Sequence, residues 1–150
     1  MEHIAIVAFT EAGLALARRI RDAVGGSVTS SREEGFSLSG WTAEHFPVCD
    51  ALIFVGAAGI AVRAIAPHVR HKAQDPAVIV ADECGKYVIP ILSGHLGGAN
   101  ALARRIAESI GAEAVITTAT DLRGAFAVDL WAKEHGMIIR QPERIKQVSA

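Results

Sequence analysis

Five short apolar runs rich in valine, isoleucine and alanine, at residues 4–9, 51–55, 77–81, 88–92 and 114–116, alternate along this chain with stretches of helical periodicity. Unbroken apolar runs of that length read as strands buried on both faces. Strands alternating with amphipathic helices read as a three-layer α/β/α fold around a mostly parallel sheet. Weaker strand candidates lie at 27–30 and 137–140. The clearest helix places Leu102, Ile106 and Ile110 at i, i+4 spacing, with Arg104, Arg105 and Glu108 on the opposite face. Leu14, Ala17, Ile20 and Val24 mark the first helix, with Thr10 as its N-cap and Gly25 and Gly26 as its stop. The hexapeptide ALARRI occurs at 15–20 and again at 101–106. That repeat fits two βαβ units of similar build, and equally the chance recurrence of good helix formers.

One connection breaks the alternation. Only Asp82 to Tyr87 separate the third and fourth runs, too few residues for a parallel crossover, so these strands form an antiparallel hairpin and the sheet is mixed. Pro90 cannot donate to a ladder and places its strand at a sheet edge or a bulge. With 88–92 running alongside the other strands, Asp82 and Glu83 fall at the far end of the sheet from Ser93 and His95. Residues 31–50 are the least legible, with Gly35, Gly40 and Pro47 interrupting a short helix at 41–46. We read 1–141 as one α/β domain and 142–150 as an exit segment toward further domains.

A chain of 150 residues that is 51% apolar and 21% charged can build one well-filled core. Fifteen Lys and Arg against sixteen Asp and Glu leave a formal charge of −1, so no global basic field recruits nucleic acid or anionic lipid. The charge-free stretches 51–62 and 87–103 are too short or too broken to span a bilayer, and no secretion signal opens the chain. A cytoplasmic location is expected. Cys49 and Cys84 lie 35 residues apart without metal-ligand spacing and read as free thiols.

In open α/β sheets, ligands sit beyond the carboxyl ends of parallel strands, where glycine-rich loops meet helix N-termini. Three loops are candidates, and in this reading they share one edge. The first carries Gly56, Gly59 and Arg63, two glycines for close backbone approach and a guanidinium for a carboxylate. Its plain alternative is a packing glycine pair and a solvated arginine. The second is SGHLGGAN, 93–100, with Gly94, Gly97, Gly98 and Asn100 around His95, the one side chain there able to move a proton near neutral pH. The third, TTATD at 117–121, offers Thr117, Thr118, Thr120 and Asp121, suited to orienting a histidine or a polar ligand, or simply to capping a helix. Asp121 is a better partner for His95 than Asp82 or Glu83. His68 and His71 lack a third ligand and read as surface residues. Neither GxGxxG nor GxxxxGK[ST] is present, which counts against a nucleotide-binding protein.

The runs FVGAAGIAVRAIAP (54–67), VIPILSGHLGGANALARRIA (88–107) and TTATD, in this order and spacing, resemble the N-terminal domain of the CbiG family, the cobalt-precorrin-5A hydrolases of anaerobic cobalamin (vitamin B12) biosynthesis. The resemblance runs from the first strand to about residue 141. It implies opening of the δ-lactone of a cobalt-bound tetrapyrrole macrocycle with release of acetaldehyde. Cobalt then arrives inside the substrate, and no cofactor or metal site of the chain's own is expected. Family members usually carry further domains, so a macrocycle-binding module whose chemistry is completed by other domains or neighbouring pathway enzymes is the alternative. From residue chemistry, His95 is the expected base, Gly97 and Gly98 the oxyanion donors, and Asp121 with the threonines the orienting groups.

Overall fold

The computed structural model describes residues 1–94 and 96–119. Residues 1–115 form one compact unit and 116–150 a second, of which 116–119 are described. The strand candidate at 137–140 lies outside the described residues.

The first unit runs β1 (Ile4–Ala8), α1 (Glu11–Val24), β2 (Ser27–Ser30), α2 (Leu38–His45), β3 (Ala51–Val55), α3 (Ala58–Ile65), β4 (Ala77–Ala81), β5 (Tyr87–Leu92), α4 (Ala99–Ile110) and β6 (Glu113–Ala114). The sheet order is β2-β1-β3-β4-β5-β6. Four strands, β2, β1, β3 and β4, are parallel; β5 pairs antiparallel with β4, and β6 is parallel to β5. The mixed α/β sheet expected from the alternating pattern is therefore what forms. The last strand is displaced slightly, to 113–114 from the apolar run at 114–116.

Because side chains alternate across a strand, the apolar runs fill two cores at once. Ile6, Ile53 and Ile79 are aligned across three strands and face α1 and α4. Val7, Phe54 and Val80, one residue later, face α2 and α3. The helices obey the same logic. Leu16, Ala17 and Ile20 of α1 and Leu102, Ala103 and Ile106 of α4 are the same letters of the repeated hexapeptide, and all are buried in the first core. Each helix links two adjacent parallel strands, so the repeat does mark two βαβ units, with β5 and β6 running opposite to β1 and β2.

Thr10 caps α1 by accepting from Gly13 N at 2.9 Å, and Gly25 ends it with φ 85°. In the hairpin, the Asp82 carboxylate accepts from the backbone N–H groups of Cys84, Lys86 and Tyr87 at 2.9, 2.9 and 2.6 Å. Gly85 completes that turn at φ 71°. Pro90 sits opposite Ile79, where the β4–β5 register shifts, and beyond the two residues of β5 that β6 pairs. The missing donor is thus accommodated at a register irregularity, on a stretch of β5 that β6 does not pair.

Candidate functional site

The reversal of β5 decides which loops can share a ligand. β1, β3 and β4 all end at one edge of the sheet, and there Phe9, Thr10, Gly56, Asp82 and Glu83 are found. β5 ends beside Val78, at the start of β4, so the 93–98 turn leaves from the opposite edge. The expectation that Gly56 and Gly59 share a rim with the SGHLGGAN turn is corrected. Five-residue strands separate the two edges by about 13 Å. It is the first hairpin strand, not the second, that runs with β1 and β3. Asp82 and Glu83 do lie away from Ser93, as expected, but Gly56 lies on their side.

At the Gly56 edge the segments that follow β1, β3 and β4 contact one another. A Cβ on Gly56 would lie 3.0 Å from the Phe9 ring, so a larger residue there would press on that side chain. The Thr10 hydroxyl donates to Glu83 at 2.6 Å, tying the β1 and β4 ends together. Gly59 is exposed with open space around it. Arg63 is exposed in the last turn of α3, whose axis leads back toward the other edge.

The 93–98 turn is built tightly from the residues up. Ser93 holds a left-handed φ of 58°, uncommon for a residue with a side chain, and its hydroxyl donates to the Asp75 carbonyl at 3.0 Å. Its own carbonyl accepts from Ala99 N at 3.2 Å, and that of Gly94 accepts from Asn100 N at 2.9 Å. A Cβ on Gly97 would lie 2.4 Å from the Ser93 Cβ and 2.8 Å from its carbonyl oxygen, so only glycine fits. Gly98, at φ 79°, is the N-cap of α4. Gly94, Gly97 and Gly98 are half-buried, Asn100 is buried behind them, and Leu96 projects from the turn, 64% exposed.

Thus Gly94, Gly97, Gly98 and Asn100 are brought together. His95, Thr120 and Asp121 lie outside the described residues. Thr117 is exposed and Thr118 half-buried within the second unit.

Sequence reasoning missed a neighbour of the turn. Asp75 is buried, and its carboxylate accepts from Arg70 N at 2.9 and 3.2 Å, closing a loop that ends at Pro76. Beside it opens a cleft of about 230 Å³ lined by Phe46, Pro47, His68, Arg70, Gln74, Asp75 and Pro76. His68, read from sequence as a surface residue, is half-buried with its ring 5.6 Å from that of Phe46. His71 is exposed and uses Nδ1 to accept from Ala73 N at 3.1 Å. The two prolines flanking this loop were the available signal. Two larger clefts lie elsewhere. One, about 530 Å³, has Glu33, Glu34 and Glu44 in its wall, and the other, about 400 Å³, lies beside the edge strand β2 with Arg18, Arg21 and Arg32. Two of those arginines are paired, Arg21 with Asp22 at 3.3 Å and Arg32 with Glu11 at 3.6 Å.

Two ionisable groups near the β5-end edge are shifted. Hydrogen bonds from the backbone N–H groups of His3 and Glu2, both 3.0 Å, hold the Asp50 carboxyl below its ordinary value. Burial, followed by the Asp50 and Glu44 carboxylates, pushes the Cys49 thiol up. Its sulfur is 3.7 Å from His45 Nδ1. Both cysteines are free, as expected from their spacing. Among the described residues, no three His, Cys, Asp or Glu side chains gather as a metal site, and no helix is long and apolar enough to cross a membrane.

A doubly wound α/β sheet that closes with a reversed βαβ unit, whose strand-to-helix turn is built from glycines, defines an α/β domain of mixed sheet. Residues 40–121, more than half of the chain, match the family model described as cobalamin synthesis G N-terminal, and the chain belongs to that family. It is 47% identical over 139 aligned positions to the cobalt-precorrin-5A hydrolase of Salmonella typhimurium, covering 87% of this chain and 40% of that protein. The enzyme of the same name from Priestia megaterium is 46% identical over 99 positions, 66% of this chain and 26% of that one. The chain therefore spans well under half the length of these relatives. The fold is also that of a crystal structure from Sulfolobus solfataricus described as a homologue of cobalamin biosynthesis protein G. The TM-score is 0.64 at 24% identity, over 98% of this chain and 44% of that one.

Proposed function

We propose that this chain is the N-terminal part of a cobalt-precorrin-5A hydrolase of cobalamin biosynthesis, and that its 93–100 turn addresses the lactone of the cobalt macrocycle. The observation carrying this reading is the 47% identity to a relative of that name, which extends over 87% of the chain. Hydrolysis adds water to the lactone acyl carbon and breaks its bond to the ring oxygen. This leaves a carboxylic acid and an alkoxide; the alkoxide carbon departs in acetaldehyde as its carbon–carbon bond to the macrocycle breaks, and the bonding pair stays on the macrocycle. His95 takes the proton of the attacking water, and the backbone N–H groups of Gly97 and Gly98 receive the charge on the acyl oxygen. A placed base is worth about 10²–10⁴-fold. Thr117, Thr118, Thr120 and Asp121 are the candidates for hydrogen-bonding the substrate's carboxylates. Cobalt enters as part of the substrate.

The shorter span of the chain relative to its relatives favours a second reading, in which it grips the macrocycle while the remaining domains complete the chemistry. Titrating the 150 residues with cobalt-precorrin-5A while assaying acetaldehyde separates the two. Binding with release supports the hydrolase, binding without release supports the module, and absence of both binding and release contradicts both. Loss of release in His95→Ala with binding retained assigns the base; unchanged turnover removes His95 from the reaction.

A further inference from the structure

We infer that the cleft beside the 93–98 turn is a carboxylate pocket, receiving an acidic side arm of the macrocycle whose apolar body lies against Leu96 and Val69. The inference rests on the function proposed above and names binding residues that neither the family nor the sequence motifs supplied.

Three observations carry it. The first is connectivity: Asp75 lines the cleft with its side chain and accepts the Ser93 hydroxyl with its carbonyl, so cleft and turn meet at one residue. The second is chemistry. Arg70, Gln74 and His68, three residues whose side chains can donate to a carboxylate, line the cleft together with Phe46, Pro47 and Pro76. The Asp75 carboxylate also lines the wall, but it is 7% exposed and bonded to Arg70 N, holding the loop that carries the donors. By contrast, the cleft of about 530 Å³ has three glutamates in its wall and disfavours a polyacid. The arginine-lined cleft lies beside β2, the far edge strand, four places across the sheet from β5. The third is size and surface. A volume of about 230 Å³ equals roughly eight waters at ~30 Å³ each, enough for an acetate or propionate arm and too small for a macrocycle. The ring must then lie outside, and at this edge the exposed apolar side chains are Met1, Val48, Val69 and Leu96. Met1 reaches the turn itself, its Cε lying 2.9 Å from where a Gly98 Cβ would be.

The test uses two probes on the whole chain. Sodium glutarate, a simple dicarboxylate, should shift the amide or ring resonances of His68, Arg70 and Gln74. Its dimethyl ester should not, and Arg70→Gln should abolish the shifts. Cobalt-precorrin-5A, followed by its visible absorption, should bind Arg70→Gln about tenfold more weakly with a shallower salt dependence. Arg19→Gln, an exposed arginine of α1 on the opposite face of the sheet, should leave affinity unchanged. Glutarate shifts absent from the cleft overturn the inference even if the macrocycle binds at the turn, leaving the proposed function standing. A wild-type chain that takes glutarate in the cleft but not the macrocycle overturns the proposed function and the side-arm assignment together. Equal affinity of Arg70→Gln and wild type for the macrocycle overturns the side-arm assignment alone.

Discussion

The hydroxyl of Ser93 donates to the carbonyl of Asp75 across 3.0 Å, joining the turn that follows β5 to the loop that precedes β4. This contact is possible only because β5 runs against β4, which brings the exit of one strand beside the entrance of the other. It also separates the turn from Gly56 by the length of the sheet.

Ser93 carries a hydrogen bond and a left-handed backbone at once, and two substitutions separate them. Ser93→Ala removes the bond and keeps the conformational cost, so it should lose about 1 kcal/mol in urea denaturation. Ser93→Gly also loses the bond but relaxes a φ of 58°, worth about 1 kcal/mol, and should come out near neutral. Equal destabilisation by both would contradict the role assigned to the backbone.

The two glycine loops should respond oppositely to a single methyl group. Gly97→Ala drives a Cβ to 2.4 Å from that of Ser93 and should cost about 1–3 kcal/mol while displacing the turn. Gly59→Ala meets open space inside α3 and should gain about 0.5–1 kcal/mol, with macrocycle binding unchanged. Both are read from thermal or urea unfolding. A loss of binding in Gly59→Ala would return the Gly56 edge to the site.

Asp50 anchors the start of β1 through the amides of His3 and Glu2, and its carboxyl is held below the ordinary 3.8. A folded-state value below the unfolded one means the contribution is complete above about pH 4 and is lost as pH falls through the lower folded value. Asp50→Asn should therefore flatten the stability profile in that acid window and leave its shape above pH 5 unaltered. An identical acid limb in wild type and variant would remove Asp50 from the account.

Cys84 is exposed, whereas Cys49 is partly buried with its thiol pushed up by desolvation and by Asp50 and Glu44. At pH 7.5 iodoacetamide should label Cys84 well before Cys49, as followed by mass spectrometry of the two peptides. Equal rates would contradict the environment assigned to Cys49.

The layers of the fold were legible because burial on two faces leaves unmistakable apolar runs, as in Ala51–Val55 and Ala77–Ala81. Helix α2 was hard to read because it buries only Trp41 and Thr42, too few positions to set a period. The hairpin was legible from its short connection, yet its consequence for the site was not drawn. Once β5 turns back, everything after Leu92 belongs to the opposite edge. The glycines of the 93–98 turn could be found from composition, but Asp75 and Arg70 could not. They reach the turn through the Asp75 carbonyl and are tied to each other through the Arg70 backbone amide, contacts that no residue spacing announces.

The claim that ligand engages the edge where β5 ends is tested most directly by hydrogen exchange of this chain with and without cobalt-precorrin-5A. Protection confined to residues near 68–75 and 93–100, with 56–60 unchanged, is the predicted result. Protection centred on 56–60, with the 93–100 turn exchanging as in the free chain, would contradict it.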